Sequence, residues 1–274
     1  MDRGIAVLGA GNIGVAIARG AVHRDWISAD QVHLTKRHTD GLAELQEQGF
    51  QVGTDNEAAI ENARLVLLCV LPEQVEEVLA SIAGSLDPHR HILVSIVTGV
   101  SLARLRKACG GEVPVVRAMP NTAIVLGESM TCLCTDGADE EELGEVRGLF
   151  DALGQTLVID EDLMSPATAV CACGIAFFLR AIRAASQGGI EVGFHASEAL
   201  AMAAQTARGA ASLLLEEGRH PEGEIDRVTT PMGCTIAGLN QMEHEGFSSA
   251  LIRGIVTSAL KAQTLGGAAD SSTS

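Results

Sequence analysis

Ile5-Ala-Val-Leu-Gly-Ala-Gly-Asn-Ile-Gly14 is an apolar run that breaks into Gly-x-Gly-x-x-Gly and then into a helical period over 13–23. Such a run with no polar alternation reads as a buried strand, and the glycines mark its sharp turn into a helix. Gly9 permits the tight turn. Gly11 lets a pyrophosphate approach the backbone, and Gly14 lets helix and strand pack closely. The helix start adds amide donors and partial positive charge. Gly9, Ala10, Gly11, Asn12, Ile13 and Gly14 are therefore candidate dinucleotide contacts, against the alternative of a glycine-rich turn without a ligand.

Outward from this stretch, short apolar runs alternate with helical periods. Strands are expected at 5–8, 32–34, 65–70, 92–97, 113–116, 130–134 and 156–159, and helices near 13–23, 39–48, 73–83, 101–108 and 139–152. Leu65–Val70 and Ile92–Val97 are apolar enough for burial on both faces. Alternation of this kind predicts a mainly parallel sheet with helices on both sides, a Rossmann-type doubly wound α/β domain over 1–161. After Asp160 the strand-like runs stop, and helical periods follow at about 163–190, 196–217, 222–228, 234–244 and 247–264. The second domain, 162–265, is thus expected to be all-α, and the tail 266–274 lacks apolar anchors and is predicted disordered.

The end of the second strand bears on cofactor choice. An Asp or Glu there would grip the ribose hydroxyls of NAD, but this chain has Thr35-Lys36-Arg37. Two cations and a hydroxyl suit a 2′-phosphate, so NADPH is favoured and NADH is the alternative. A basic solvated loop is the competing reading, and it is weakened by the acidity of the rest of the chain.

Composition excludes several functions. The 274 residues carry 19 Lys+Arg against 35 Asp+Glu, a net charge of −16, which repels nucleic-acid backbones. Six Phe, one Trp and no Tyr leave few stacking platforms and no tyrosine acid. Lysine occurs only at Lys36, Lys107 and Lys261, so lysine-based chemistry has three candidates. The acidic, lysine-poor composition also points to tolerance of high salt. Seven cysteines, an odd number, behind a start (Met1-Asp2-Arg3) without a secretory pattern predict reduced thiols and a cytoplasmic location. Cys132 and Cys134 share one strand face, whereas Cys171 and Cys173 point to different sides of a helix, and no metal-ligand spacing occurs, so no metal site is expected. The longest uncharged stretch, 17 residues between Asp162 and Arg180, falls short of a membrane span and reads as a buried helix at a subunit interface.

Two stretches of the helical half stand out. Thr168-Ala-Val-Cys-Ala-Cys-Gly-Ile-Ala-Phe177 is built from small residues, which suits either a tight helix pair or close cofactor approach. In Val228-Thr-Thr-Pro-Met-Gly-Cys-Thr-Ile-Ala-Gly238, a Thr-Pro turn precedes a helix start, so backbone N–H groups lie beside hydroxyls. That arrangement suits a small carboxylate, and a plain helix cap fits the spacing equally well.

Collinear with these features run Asp55-Asn56, Val70-Leu-Pro72, Val94-Ser95, Gly99-Val100, Arg117-Ala-Met-Pro-Asn-Thr122, Thr229-Thr-Pro-Met-Gly-Cys-Thr-Ile236 and Gly246-Phe-Ser-Ser-Ala-Leu-Ile252. With the first-strand Gly-Ala-Gly, they make the chain resemble the pyrroline-5-carboxylate reductases up to about Leu265. The resemblance implies NADPH-dependent reduction of the cyclic imine 1-pyrroline-5-carboxylate to L-proline, and a helical domain that forms interlocked homodimers or larger rings of dimers. It places nucleotide contacts on residues 9–14, Thr35, Lys36, Arg37, Asn56, Cys69, Val70, Leu71, Pro72, Ile96, Val97 and Thr98. It places substrate contacts on Thr230, Met232, Gly233, Cys234 and Thr235, with Thr235 hydrogen-bonding the ring nitrogen as the catalytic residue.

The chain departs from the family pattern at three places. Cys171-Ala-Cys-Gly-Ile-Ala-Phe177 stands where Ser-Gly-Ser-Gly-Pro-Ala-Tyr is usual, Pro231-Met232-Gly233 replaces Pro-Gly-Gly, and Leu71-Pro72 replaces Lys-Pro. Methionine at 232 adds bulk and is expected to oppose a φ > 0 turn. Reduction of another cyclic imine carboxylate, or NADPH sensing without catalysis, are the competing functions. A 3-hydroxyacid dehydrogenase is disfavoured, because no lysine lies between 108 and 260.

Overall fold

The apolar runs of the first half assemble into one eight-stranded sheet, seen in a computed structural model that describes residues 4–38 and 41–270. In chain order the elements are β1 (Gly4–Leu8), α1 (Asn12–His23), β2 (Val32–Thr35), α2 (Ala43–Glu47), β3 (Gln51–Gly53), α3 (Asn56–Ile60) and β4 (Ala63–Leu68). Then come α4 (Val75–Ile82), β5 (Ile92–Ser95), α5 (Leu102–Ala108), β6 (Val115–Met119), β7 (Ser129–Thr135), α6 (Glu140–Asp151) and β8 (Gly154–Val158). The strand order is β3-β2-β1-β4-β5-β6-β7-β8, parallel throughout except for the antiparallel pair β6–β7.

The period-2 alternation of strand side chains builds two cores. Ile5 and Val7 of β1, with Leu65 and Leu67 of β4, meet α1, α2 and α6 through Ile17, Leu45 and Phe150. Ala6, Leu8, Val66 and Leu68 point the other way onto α3, α4 and α5 through Ile60, Leu79 and Leu105. Both faces are covered, which is why these strands read as unbroken apolar runs. Local caps fix the helix starts: Asp55 accepts from the amides of Glu57 and Ala58, Ser101 from Arg104, and Asp139 forms a reciprocal box with Glu142.

In this half most element ends lie within two residues of the sequence expectation, and four elements differ by more. β3 and α3 were not foreseen, because three and five residues are too few to display a period. The expected helix over 39–48 is Ala43–Glu47, and its predicted start at Thr39 and Asp40 lies outside the described residues. The sixth strand begins at Val115 rather than at Val113, because Pro114 has no N–H for the ladder; its carbonyl still accepts from Leu93 at 2.9 Å. The strand then runs on through Arg117, whose charge hid it.

By internal contacts the chain divides into two units. One is formed by residues up to Ala172 together with the chain from Ser258 onward, the other by Cys173–Thr257. This division lies beyond the expected boundary at 161, because the next segment packs on the sheet's core. That segment is α7 (Met164–Ala167) followed by a π-helical turn, Thr168–Ala172. Met164 and Ala169 are buried, and Ala167, Cys171 and Ala172 lie against the core that holds β7's Cys132 and Cys134.

The second unit contains α8 (Gly174–Glu191), α9 (Ala196–Glu217), α10 (Pro221–Val228), α11 (Cys234–His244) and the start of α12 (Phe247–Asp270). α8 and α9 approach closely where Gly189 faces Ala199, since a Cβ on Gly189 would lie 2.9 Å from the Ala199 Cβ. α12 runs to Asp270, five residues into the tail expected to be disordered, because extending an existing helix costs far less than starting one. Ser271–Ser274 lie outside the described residues.

The continuous helical stretch Glu161–Glu191 is long and apolar enough to cross a membrane by length and composition, with a mean hydropathy of 1.6 in its most apolar window. Only 22% of that window is buried within the chain, so burial at a subunit interface, as expected from sequence, would have to come from a partner. Phe178 and Leu179 are 63% and 59% exposed, and Val192, Leu215 and Ile252 are exposed as well. Apolar surface on this scale marks an interaction face.

Candidate functional site

The sheet reverses its winding between β1 and β4, and the carboxyl ends of β1, β2 and β4 open there on a cleft of about 720 Å³. Ligands of doubly wound sheets bind at such a point. Gly9 holds φ +101°, and a Cβ on it would lie 2.5 Å from the carbonyl oxygen of Cys69. A Cβ on Gly14 would lie 2.7 Å from the Gly9 oxygen, so both glycines are required by close backbone approach. A Cβ on Gly11 would meet no atom within 4 Å; its bare face opens on the cleft.

Hydrogen bonding then sorts the amides. Gly9 and Ala10 both donate to the carbonyl of Thr35, at 3.1 and 2.7 Å, and Gly11 donates to Gly9. Those N–H groups are spent on the turn. The donors left for an anion are the first-turn amides of α1, at Asn12, Ile13 and Gly14, since no side chain caps this helix. The cradle fits a pyrophosphate.

Thr35 is buried, and its hydroxyl donates to Asn56 Oδ1 at 2.7 Å, which ties β2 to α3 along the cleft wall. Lys36 and Arg37 stand exposed at the rim. Arg37 faces Glu77 of α4 at 3.9 Å, a loose pair between exposed groups that a phosphate can displace. Cys69, Val70 and Leu71 line the opposite wall, with Leu71 59% exposed as an apolar platform. Burial pushes the Cys69 thiol well above the usual thiol range, so it stays neutral near any bound phosphate.

Of the residues singled out in sequence, the cleft thus brings together Gly9 to Ile13, Thr35 to Arg37, Asn56, Cys69 to Leu71 and Ile96. Gly14, Pro72, Val97 and Thr98 are not in its lining. Gly14 packs under the turn, Pro72 opens a 3₁₀ turn, and Val97 is buried in the core. Leu8, Thr54, Gln74, Glu77 and Val78 also line the cleft and were missed. Thr54 follows the unforeseen β3. Gln74 accepts from the Leu71 amide at 3.1 Å, and the polar residue soon after Val70-Leu-Pro72 was the available signal.

A neighbouring hollow of about 900 Å³ shares Ala10, Gly11, Asn12 and Lys36 and is flanked by Arg19 and Arg24. Those arginines are engaged, with Glu44 at 2.8 Å and the Leu126 carbonyl at 3.2 Å.

In the helical unit, Thr230, Pro231, Met232 and Gly233 form a β-turn closed by the Gly233 amide on the Thr230 carbonyl at 2.9 Å. Proline in the second place and a left-handed residue in the third is the type II arrangement. Met232 takes that third place with φ +60°, so the methionine does not prevent the positive-φ turn. Its side chain is fully exposed, and the turn holds because no packing opposes it. Gly233 cannot be enlarged, since a Cβ there would lie 2.6 Å from Thr230 Oγ1. α11 starts directly after it without a side-chain cap. The amides of Cys234, Thr235 and Ile236 and the exposed Thr235 side chain therefore share one helix N-terminus, an arrangement suited to a small carboxylate. Among the described residues, no group of three His, Cys, Asp or Glu side chains is placed to hold a metal ion.

Comparison with known proteins follows this division of labour. Residues 161–265 match the family model described as pyrroline-5-carboxylate reductase dimerisation, and residues 4–99 match NADP oxidoreductase coenzyme F420-dependent. The chain is 51% identical to pyrroline-5-carboxylate reductase 1 of Dictyostelium discoideum over 96% of its own length, and it spans 50% of the length of that relative. It is 46% identical to pyrroline-5-carboxylate reductase 2 of the same organism, over 95% of this chain and 92% of the relative. The crystal structure of Plasmodium falciparum pyrroline carboxylate reductase with NADP bound shares the fold, with a TM-score of 0.87 at 22% identity over 96% of this chain and 98% of that one.

Proposed function

The chain belongs to the pyrroline-5-carboxylate reductase family, and from that premise we propose that it reduces 1-pyrroline-5-carboxylate to L-proline with NADPH. Bound NADPH supplies a hydride from its nicotinamide. The chain's part is binding and orientation. The amides of Asn12, Ile13 and Gly14 hold the pyrophosphate, and Lys36 and Arg37 hold the 2′-phosphate. Thr35 and Asn56 fix the cleft wall, while Cys69 to Leu71 and Ile96 flank the nucleotide. The α11 amides grip the substrate carboxylate, Thr230, Met232, Gly233 and Cys234 wall it, and Thr235 holds the ring nitrogen. No strong acid is needed, because a protonated cyclic imine is already electrophilic at carbon, and holding it in place supplies much of the rate.

The observation that supports this reading most directly is the pairing of two uncapped helix N-termini with different neighbours. The start of α1 shares its cleft with the two cations that follow β2, for a phosphorylated nucleotide; α11 carries a hydroxyl for a small acid. The apolar face of the helical unit is covered by a second copy of the chain, so the working form is a homodimer or a ring of dimers in the cytoplasm. The test is NADPH oxidation with the five-membered imine, with proline identified as product and the six-membered imine run in parallel. Oxidation with the six-membered ring alone would reassign the substrate. NADPH binding without oxidation by either would make the chain a sensor.

A further inference from the structure

Cys132 and Cys171 are 39 positions apart in sequence, yet their sulfurs lie 3.9 Å apart. Cys132 sits on β7, opposite Met119 of β6, and is 2% exposed. Cys171 is half-buried and lies in the π-helical turn Thr168–Ala172. Turns of this type are rare and concentrate at functional positions. The turn is held by Thr168, whose hydroxyl donates to the Met164 carbonyl at 2.8 Å, and by the buried Ala169. One thiol of the pair is thus reachable, and the other stands behind it on a rigid strand.

We propose that Cys132 and Cys171 form a peroxide-sensitive dithiol, with Cys171 the attacking thiol and Cys132 the resolving one. The Cys171 thiolate attacks one oxygen of hydrogen peroxide and breaks the O–O bond. This leaves a sulfenic acid on Cys171 and releases water once the leaving oxygen is protonated. The Cys132 sulfur then attacks the Cys171 sulfur and displaces its hydroxyl as a second water. Two thiols have been oxidised, one peroxide has been reduced, and the disulfide staples the π turn to β7. Closing the pair requires the sulfurs to move from contact to about 2.05 Å, which side-chain rotation on the turn can supply.

The electrostatics favour this order of events. The two sulfurs share one hydrogen bond, which lowers the pKa of the more accessible Cys171 to about 7, whereas Cys132 is pushed well above the ordinary thiol range by that same contact and by burial. None of this depends on the reductase reading, because the readout lies on the chain's own sulfurs.

The experiment treats the reduced, assembled protein with dilute hydrogen peroxide, blocks remaining thiols, and maps peptides without reduction. The expected product is one cross-linked pair lacking two hydrogen atoms, reversed by dithiothreitol, with fragmentation placing the bridge at 132–171. Fragmentation is needed because Cys134 and Cys173 share the same tryptic peptides. In Cys132→Val, Cys171 should stop at the sulfenic acid and be trapped by dimedone; the wild-type map stands alone if that variant does not fold. A bridge through Cys134 or Cys173, a bridge between subunits, or reduced Cys132 and Cys171 at doses that oxidise the exposed Cys234 would each overturn the proposal.

Discussion

Arg117 Nη1 donates to Glu161 Oε1 at 2.7 Å, and the same carboxylate oxygen accepts from the amide of Leu102 at 2.7 Å. One acid therefore joins β6, the start of α5 and the turn that leads into α7. The Arg117 side chain is 9% exposed and its Nε is buried without a partner, so the guanidinium depends on Glu161 for neutralisation. Glu161→Gln should destabilise the protein by about 1–3 kcal/mol, seen as a lower urea midpoint at unchanged slope. Replacing both residues by apolar ones should cost less than removing Glu161 alone, and an equal or larger loss in the double variant would contradict the pairing.

Lys36 and Arg37 should discriminate between nucleotides. Alanine at either position should weaken NADPH binding roughly tenfold to a hundredfold and leave NADH nearly unchanged. Glu77→Gln should act in the opposite direction and tighten NADPH, because its carboxylate competes for Arg37. Fluorescence titration of both nucleotides decides this; parallel losses for NADPH and NADH would remove the 2′-phosphate role.

Thr235→Ala should fold normally and bind NADPH as the parent does, while its turnover falls by about 1–3 kcal/mol in the transition state. Thr235→Ser should recover most of the loss, because only the hydroxyl is required. Steady-state kinetics that find the alanine variant fully active would eliminate the residue from the reaction.

Met232 offers a test of backbone strain. With φ +60° and a fully exposed side chain, it loses no packing when replaced. Met232→Gly should be more stable than the parent by about 0.5 kcal/mol, the relief of a left-handed conformation less the glycine's extra freedom when unfolded. A β-branched valine at the same place should be less stable than methionine. Thermal melts that invert this order would show that the turn is not strained.

His91 predicts acid sensitivity. Its Nδ1 accepts from the Asp87 amide at 2.8 Å, so its Nε2 carries the proton donated to the Ile60 carbonyl at 3.1 Å. Burial lowers its pKa below 6.5, with the Arg90 and Arg64 charges acting the same way and the Ile60 bond and Asp87 opposing. The unfolded chain therefore takes up this proton first as pH falls. The stability contributed is present above about pH 6.5 and is lost as the pH drops from there through the lowered folded value. His91→Gln should be less stable at neutral pH and should show a flatter stability profile across that acid window.

Much of the site could be read locally. Gly9 to Gly14, Thr35 to Arg37 and the α11 start each occupy a handful of consecutive residues, so spacing singled each of them out, although the α11 start fitted a plain helix cap equally well. What stayed hidden was short or distant. β3 has three residues and one apolar side chain, so Thr54 at its end had no frame of reference. Glu77 looked like one more acid on a helix until α4 brought it to Arg37.

The residues by themselves thus determined the alternation of strand and helix, the glycine cradle, the two cations beside it and the change to helices after Asp160. These follow from steric and hydrogen-bonding rules that act within a few positions. The tertiary structure alone decided that the Gly9 and Ala10 amides are spent on Thr35, that β6 and β7 run antiparallel, and that Cys132 meets Cys171. Those outcomes depend on which distant segments share a core, and no local period carries that information.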